Sequence, residues 1–203
     1  MFKRAIVTGL LLIVLHSGAR AQTILDITTE TSPASVGSVV TAEIDISGLT
    51  AGRALGTYDL SILFDGSILS FDGVSFGNSL DVFGLGDIRS FTARANSVQL
   101  FELSLDSGPD LLGAQASSFQ LATLTFTTVS VGTSPLSFDS VTLGDQAGLF
   151  ILSENRNRFV SVISSPVPES DTYILMLLGA MPFLFRKWLS RGKLNPPLNS
   201  SAL

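Results

Sequence analysis

The sequence predicts an all-β domain, an antiparallel two-sheet sandwich of jelly-roll type, on three observations. Apolar and polar residues alternate at period two in one segment after another, and turn signals separate those segments at near-regular spacing. No stretch in the body of the chain carries the 3.6-residue period of an amphipathic helix.

Taken in order, residues 24–30 form the first strand candidate. Over 38–47, Val40, Ala42, Ile44 and Ile46 share one face, and Thr41, Glu43, Asp45 and Ser47 share the other. Over 57–64, Tyr58, Leu60, Ile62 and Phe64 point inward. Segments 68–76 and 97–105 follow, then 119–128, where Ala122, Leu124 and Phe126 alternate with Thr123, Thr125 and Thr127. Segments 136–143, 149–152 and 158–163 complete the set. Turns are expected at Asp65-Gly66, Asp72-Gly73, Ser107-Gly108-Pro109, Gly132-Thr133 and Gly144-Asp145. Residues 77–96, rich in Gly, Ser and Asp, break the alternation and read as a long loop.

The two ends of the chain read as addresses. Lys3 and Arg4, the apolar stretch Ala5 to Leu15 and the small-x-small site Ala19-Arg20-Ala21 make a signal peptide over 1–21, cleaved between Ala21 and Gln22. Residues 167–193 read VPESDTYILMLLGAMPFLFRKWLSRGK: a short Pro-Glu motif, an apolar run and a basic cluster. The expected organisation is a β domain over 22–163, a linker with the motif over 164–172, a transmembrane sorting helix over 173–189 and a basic cytoplasmic tail over 190–203. Tyr173 to Phe185 spans only 13 residues, about 20 Å of helix against a hydrocarbon core of about 30 Å.

Charge supports that layout. Residues 22–166 hold five Arg, no Lys and fifteen Asp plus Glu, a balance of 5 − 15 = −10. Such a surface repels nucleic acid. Arg186, Lys187, Arg191 and Lys193 follow the apolar run with no acid among them, so Arg186 and Lys187 orient the span with the domain outside the cytoplasm.

Composition also removes chemistry. Cysteine is absent, and the single histidine, His16, lies in the leader. A Ser-His-Asp triad, a Cys-His dyad and a zinc site of His or Cys ligands are therefore excluded from the exported part. No catalytic or cofactor-binding residue is assigned. Asp106-Ser107-Gly108-Pro109-Asp110 has the oxygen chemistry of a calcium loop but lacks the Asp-x-Asp-x-Asp-Gly spacing, so a turn is the expected reading and calcium its alternative. The acid pairs Glu43 with Asp45 and Asp59 with Asp65 have the chemistry of a glycosidase dyad, but with no sign of a cleft around them a solvated strand face is the expected reading. Stacking platforms for sugars favour exposed Trp or Tyr. Residues 22–166 have no Trp and one Tyr, Tyr58, on an inward register. Their eleven Phe fall mostly at core positions, with Phe83 the candidate exposed contact.

Two resemblances follow from these residues. The stretches PASVGSVVTAEIDISGLT, LGTYDLSILFDGSILSFDGVSFG and LATLTFTTVSVGTSPLSFDSVTLGD, spanning Pro33 to Asp145, resemble in order and spacing a cohesin-type domain. That resemblance implies a cohesin-like sandwich and a dockerin-like protein partner. Val167, Pro168 and Glu169, with the apolar run and Arg186-Lys187, resemble the PEP-CTERM sorting signal, with Ser170 where a second Pro is commonest. This implies recognition by an exosortase in the envelope of a Gram-negative bacterium that makes exopolysaccharide, and leaves a simple membrane anchor as the alternative. The combined expectation is an exported, surface-sorted, non-enzymatic module that docks a protein in adhesion or matrix assembly. Direct exopolysaccharide binding is the second reading, and a hydrolase of matrix glycans the third.

Overall fold

Alternating β-branched and polar residues become eleven strands and one short helix in the computed structural model, which describes residues 22–30 and 32–165. The strands are β1 (Thr23–Thr29), β2 (Ala34–Ser35), β3 (Val39–Ser47), β4 (Leu55–Leu63), β5 (Leu69–Phe76), β6 (Asp87–Arg94) and β7 (Ser97–Ser104). After helix α1 (Gly108–Ala114) come β8 (Phe119–Thr128), β9 (Gly132–Asp145), β10 (Ser153–Arg156) and β11 (Arg158–Ile163). A five-stranded sheet in the order β10-β1-β3-β8-β5 faces a six-stranded sheet in the order β2-β11-β9-β4-β7-β6. Pairing is antiparallel except for β1 with β10 and β11 with β2, which are parallel, so the sheets are not wholly antiparallel as expected.

The inward registers read from the sequence hold. Val40, Ala42, Ile44 and Ile46 from β3, Leu60 and Ile62 from β4, and Leu124 and Phe126 from β8 form one core between the sheets. Period-two burial drives this, because a slip of one residue would turn each apolar row toward water. Phe64, just past the end of β4, meets the Phe126 ring edge-on across the two sheets with centroids 5.1 Å apart, and Phe71 packs on the same ring at 5.7 Å from the neighbouring strand of its own sheet.

Several expectations are corrected. Residues 77–96 are not one loop, because β6 occupies Asp87–Arg94 as the outer strand beside β7. Its two large apolar side chains, Ile88 and Phe91, are half exposed, so no buried face marked it. Asp72-Gly73 is not a turn but a register shift inside β5, and Gly144-Asp145 closes β9. Residues 149–152 form no strand: Phe150 makes one isolated bridge to Gly144, and the strand starts at Ser153. Ser107-Gly108-Pro109 starts a helix, since Ser107 caps it by accepting from the Asp110 N–H and Pro109 suits a first turn that needs no donor.

One polar row crosses the core. Tyr58, Glu102 and Arg89 are register partners on β4, β7 and β6 and point to the inner face. Tyr58 is 0 % and Glu102 1 % exposed. The Tyr58 hydroxyl donates to Glu102 Oε2 at 2.7 Å and lies 3.3 Å from the Leu121 carbonyl of the opposite sheet. Arg89 Nε donates to Glu102 Oε1 at 3.0 Å, and its Nη2 donates to the Gly77 carbonyl at 2.7 Å, just beyond β5. The guanidinium also meets the Asp87 carboxylate and sits 5.8 Å from the Phe76 ring centre. Burial pushes the Tyr58 phenol up, with the Glu102 charge and hydrogen bond adding to the effect. Burial works against the charge of Arg89, but the hydrogen bond and charge of Glu102 outweigh it and raise its affinity for the proton.

Burial likewise raises the Glu102 carboxyl above its ordinary value of 4.5, against the hydrogen bonds from Tyr58 and Arg89. A raised folded value means that the native state binds the proton more tightly than the unfolded chain. Its penalty is therefore full at neutral pH and is relieved as pH falls toward 4.5. Asp45 acts in the same direction, pushed up by burial and by Glu43 and Asp26, whereas Asp65, held down by its hydrogen bonds to Ser67, costs stability only as pH drops below its ordinary 3.8. Urea unfolding is expected to show higher stability at pH 5 than at pH 8, with a shallower difference in Glu102→Gln; an unchanged pH slope in that variant contradicts the assignment.

Candidate functional site

Strand direction gathers four loops at one end of the sandwich. The β3–β4 loop (48–54), the β5–β6 loop (77–86), the segment carrying α1 (105–118) and the β9–β10 loop (146–152) all lie there. The β4–β5, β6–β7 and β8–β9 connections and the end of β11 lie at the other.

Side-chain carboxylates and amides hold the four loops together. Asp106 Oδ2 accepts from the N–H groups of Val82 and Phe83 at 2.7 and 3.2 Å, and Asp81 Oδ1 accepts from Gly86 N–H at 2.8 Å. Gln115, at the end of α1, accepts from Leu55 N–H at 2.6 Å and donates to the carbonyls of Leu55 and Ser79, both at 2.9 Å. Gln146 accepts from Ala54 N–H at 2.9 Å, while Asp145 Oδ1 accepts from Ala147 and Leu149 N–H, both at 2.9 Å. Arg53 reaches the buried Asp145 at 3.6 Å. Backbone bonds from Leu49 N–H to Ser117 and from Leu105 N–H to Gly86 join the same loops. These contacts satisfy backbone groups that no strand ladder reaches.

The platform so formed displays apolar side chains. Phe83 is 58 % exposed, Leu152 is 78 % exposed, and Leu85, Leu105, Leu112, Leu149 and Phe150 are each near half or above. Gly84 and Gly86 at positive φ let the 83–86 segment turn twice while keeping Phe83 and Leu85 outward. In α1, Leu111 is buried and the adjacent Leu112 points out, so the helix both seals the core and contributes to the display. A concentration of exposed apolar residues on loops fixed from beneath is the character of an interaction surface.

Candidates read from the sequence are placed as follows. Phe83 is exposed, as expected. Four of the eleven Phe are more than half exposed, namely Phe83, Phe91, Phe150 and Phe159, so fewer lie in the core than the alternation implied. Asp106 and Asp110 do not converge: Asp106 holds the β5–β6 loop, and Asp110 accepts from the Ser107 hydroxyl at 2.6 Å. Among the described residues, no group of three or more His, Cys, Asp or Glu is placed to hold a metal ion. Glu43 and Asp45 stand with Asp26 on the outer face of the five-stranded sheet. Asp59 lies on β4 accepting from Gln99 at 2.9 Å, whereas Asp65 sits in the next turn binding Ser67, so this second pair is not brought together. Tyr58 is buried, and no Trp occurs among the described residues.

Glu102 escaped the sequence reading although its signal was present. In SVQLFELS the inward register runs Val98, Leu100, Glu102, which puts a carboxylate on an apolar face. Gln115 and Gln146 carried no such signal, because their partners are backbone groups distant in sequence. Gln22 is the first described residue. Ala21, Val167, Pro168, Glu169, Arg186 and Lys187 lie outside the described residues, as do the leader 1–21, the span 173–189 and the tail 190–203. No helix among the described residues is long and apolar enough to cross a membrane.

Asp106→Ala is expected to lower the stability measured by urea unfolding by about 1–3 kcal/mol, because the N–H groups of Val82 and Phe83 lose their acceptor.

No protein-family description matches the sequence, and no curated protein matches it. Solved structures do. A type II cohesin from Acetivibrio cellulolyticus, solved in a cohesin-X-dockerin complex, is similar at 13 % identity with a TM-score of 0.60, covering 70 % of this chain and 100 % of that one. The non-cellulosomal cohesin of the archaeon Archaeoglobus fulgidus matches at 14 % identity and TM-score 0.55, over 75 % and 97 %. The cohesin module of a Clostridium perfringens family 33 glycoside hydrolase matches at 14 % and 0.56, over 70 % and 99 %. At these identities the likeness establishes a cohesin-like fold, in agreement with the resemblance read from Pro33 to Asp145.

Proposed function

We propose that this chain is an exported, surface-sorted, non-enzymatic module that docks a protein partner through its loop end. The observation that carries this reading is the platform of Phe83, Leu85, Leu105, Leu112, Leu149, Phe150 and Leu152 on loops already fixed by Asp106, Gln115, Asp145 and Gln146. Ordering a loop upon binding subtracts from affinity, and loops ordered beforehand avoid that loss. Solved cohesins in complex with dockerins support a small protein as the partner class. Apolar exposure without an exposed Trp or Tyr among the described residues fits a protein surface better than a sugar ring, which needs a polar tip beside the stacking face. β11 ends at the opposite end of the sandwich.

Export and sorting enter this proposal from the ends of the sequence. The leader delivers the domain, Val167-Pro168-Glu169 is read by an exosortase, and Arg186 with Lys187 keeps the tail inside while the apolar run is held in the membrane. At the surface the module serves adhesion or assembly of an exopolysaccharide matrix.

Pull-down with the full chain from the native envelope tests the docking surface. A protein partner is expected whose capture falls at least about tenfold with Phe83→Asp plus Leu149→Asp, the loss of two buried apolar contacts. Val131→Asp, at the other end, is expected to leave it unchanged. Capture of polysaccharide without protein, or equal capture by all three chains, contradicts the proposal.

A further inference from the structure

A second feature lies away from the loop end, on the open side of the sandwich where β5 and β6 are the outermost strands of their sheets. Seven of the eight residues of β6 are exposed. The strand pairs only with β7, so one side of its backbone has no ladder partner. The bond from Leu105 N–H to the Gly86 carbonyl sets the alternation: Ile88, Ser90, Thr92 and Arg94 bond toward β7. Asp87, Arg89, Phe91 and Ala93 therefore present N–H and C=O groups outward.

Arg89 bridges the upper part of the gap between β5 and β6 through Glu102 and the Gly77 carbonyl. Below it the gap stays open as a groove of about 460 Å³ whose apolar wall includes Phe64, Leu69, Phe71 and Ala93, with Arg94 at its margin. The Phe71 and Phe91 rings, 6.1 Å apart, mark its upper limit. Unlike Arg89, Arg94 makes no ion pair among the described residues, in a domain with three times as many acids as arginines.

We infer that β6 and this groove form a second docking site, which takes an extended peptide segment of a partner as an added strand. The ligand places an apolar side chain between Phe71 and Ala93 and a carboxylate on Arg94. Three complementarities select it. Strand addition supplies partners for the outward backbone groups of Arg89, Phe91 and Ala93, the groove accepts an apolar side chain, and the free guanidinium prefers a planar carboxylate. A second copy of the chain fits less well, since pairing two β6 strands edge to edge leaves both grooves empty and sets arginine-bearing strands against each other.

The test pans a displayed library of random dodecapeptides on the full chain in mild detergent, with the Ala93→Pro chain for counter-selection. Proline removes an N–H that points away from β7 and is tolerated on an outer strand. Enriched peptides are expected to alternate apolar and polar residues and to carry an acid. The best of them, synthesised, should bind with slowed amide exchange at Arg89, Phe91 and Ala93. Its Kd should weaken about tenfold or more in Arg94→Glu, the loss of one charge-assisted hydrogen bond, while the urea midpoint of that variant stays near wild type. Phe83→Asp should bind the peptide normally, which separates this site from the loop end. Failure to enrich any peptide against Ala93→Pro overturns the inference. So does a peptide whose binding ignores Arg94→Glu, or one displaced by Phe83→Asp.

Discussion

A buried carboxylate and the arginine that reaches it from the rim set the geometry on which the other features depend. Glu102 is held inside the sandwich while Arg89 stays about one-third exposed, and the Glu102 charge left unpaired there would cost several kcal/mol. Glu102 is satisfied by Tyr58 on one side and Arg89 on the other, and Arg89 in turn reaches the Gly77 carbonyl where β5 ends. The row therefore binds the two sheets at their open side, where no strand ladder does. Above it the chain turns out into the β5–β6 loop; below it the sheets stay parted and leave the groove. Position along β6 thus decides which part of the gap is closed.

The loop end follows the same logic with neutral donors. A cysteine-free domain has no disulfide with which to fix long loops, so stability comes from packing and hydrogen bonds. Asp106, Gln115, Asp145 and Gln146 are the staples, each accepting from backbone N–H groups and, for the two glutamines, also donating to carbonyls. Their polar atoms point down into the loops, and the apolar side chains Phe83, Leu112 and Leu149 are left for the surface. One set of residues thereby fixes the platform while another supplies its chemistry.

The central strands were legible because both of their faces were written in the sequence. Tyr58, Leu60 and Ile62 alternate with polar residues, and burial acts on that period directly. β6 was not legible, because an outermost strand with half-exposed Ile88 and Phe91 has no apolar face to advertise it. Nor was β10 distinguishable from the apolar run before it: Leu149, Phe150 and Leu152 read as a strand, yet Asp145 and the bridge to Gly144 draw that segment into the loop platform. Of the site, Phe83 was legible as an odd aromatic in a Gly-rich segment. Leu112 and Leu149, on other loops of the same end, were not, since only the strand topology gathers those loops and no local pattern records it.

Amide hydrogen exchange of the full chain without any partner tests most directly whether the platform exists before it is used. The account predicts that the Val82, Phe83 and Leu149 amides, bonded to Asp106 and Asp145, exchange orders of magnitude more slowly than an unstructured chain and approach the strand amides of β4. Exchange of all three at the unprotected rate would mean that the loops are ordered only on binding, and would contradict it.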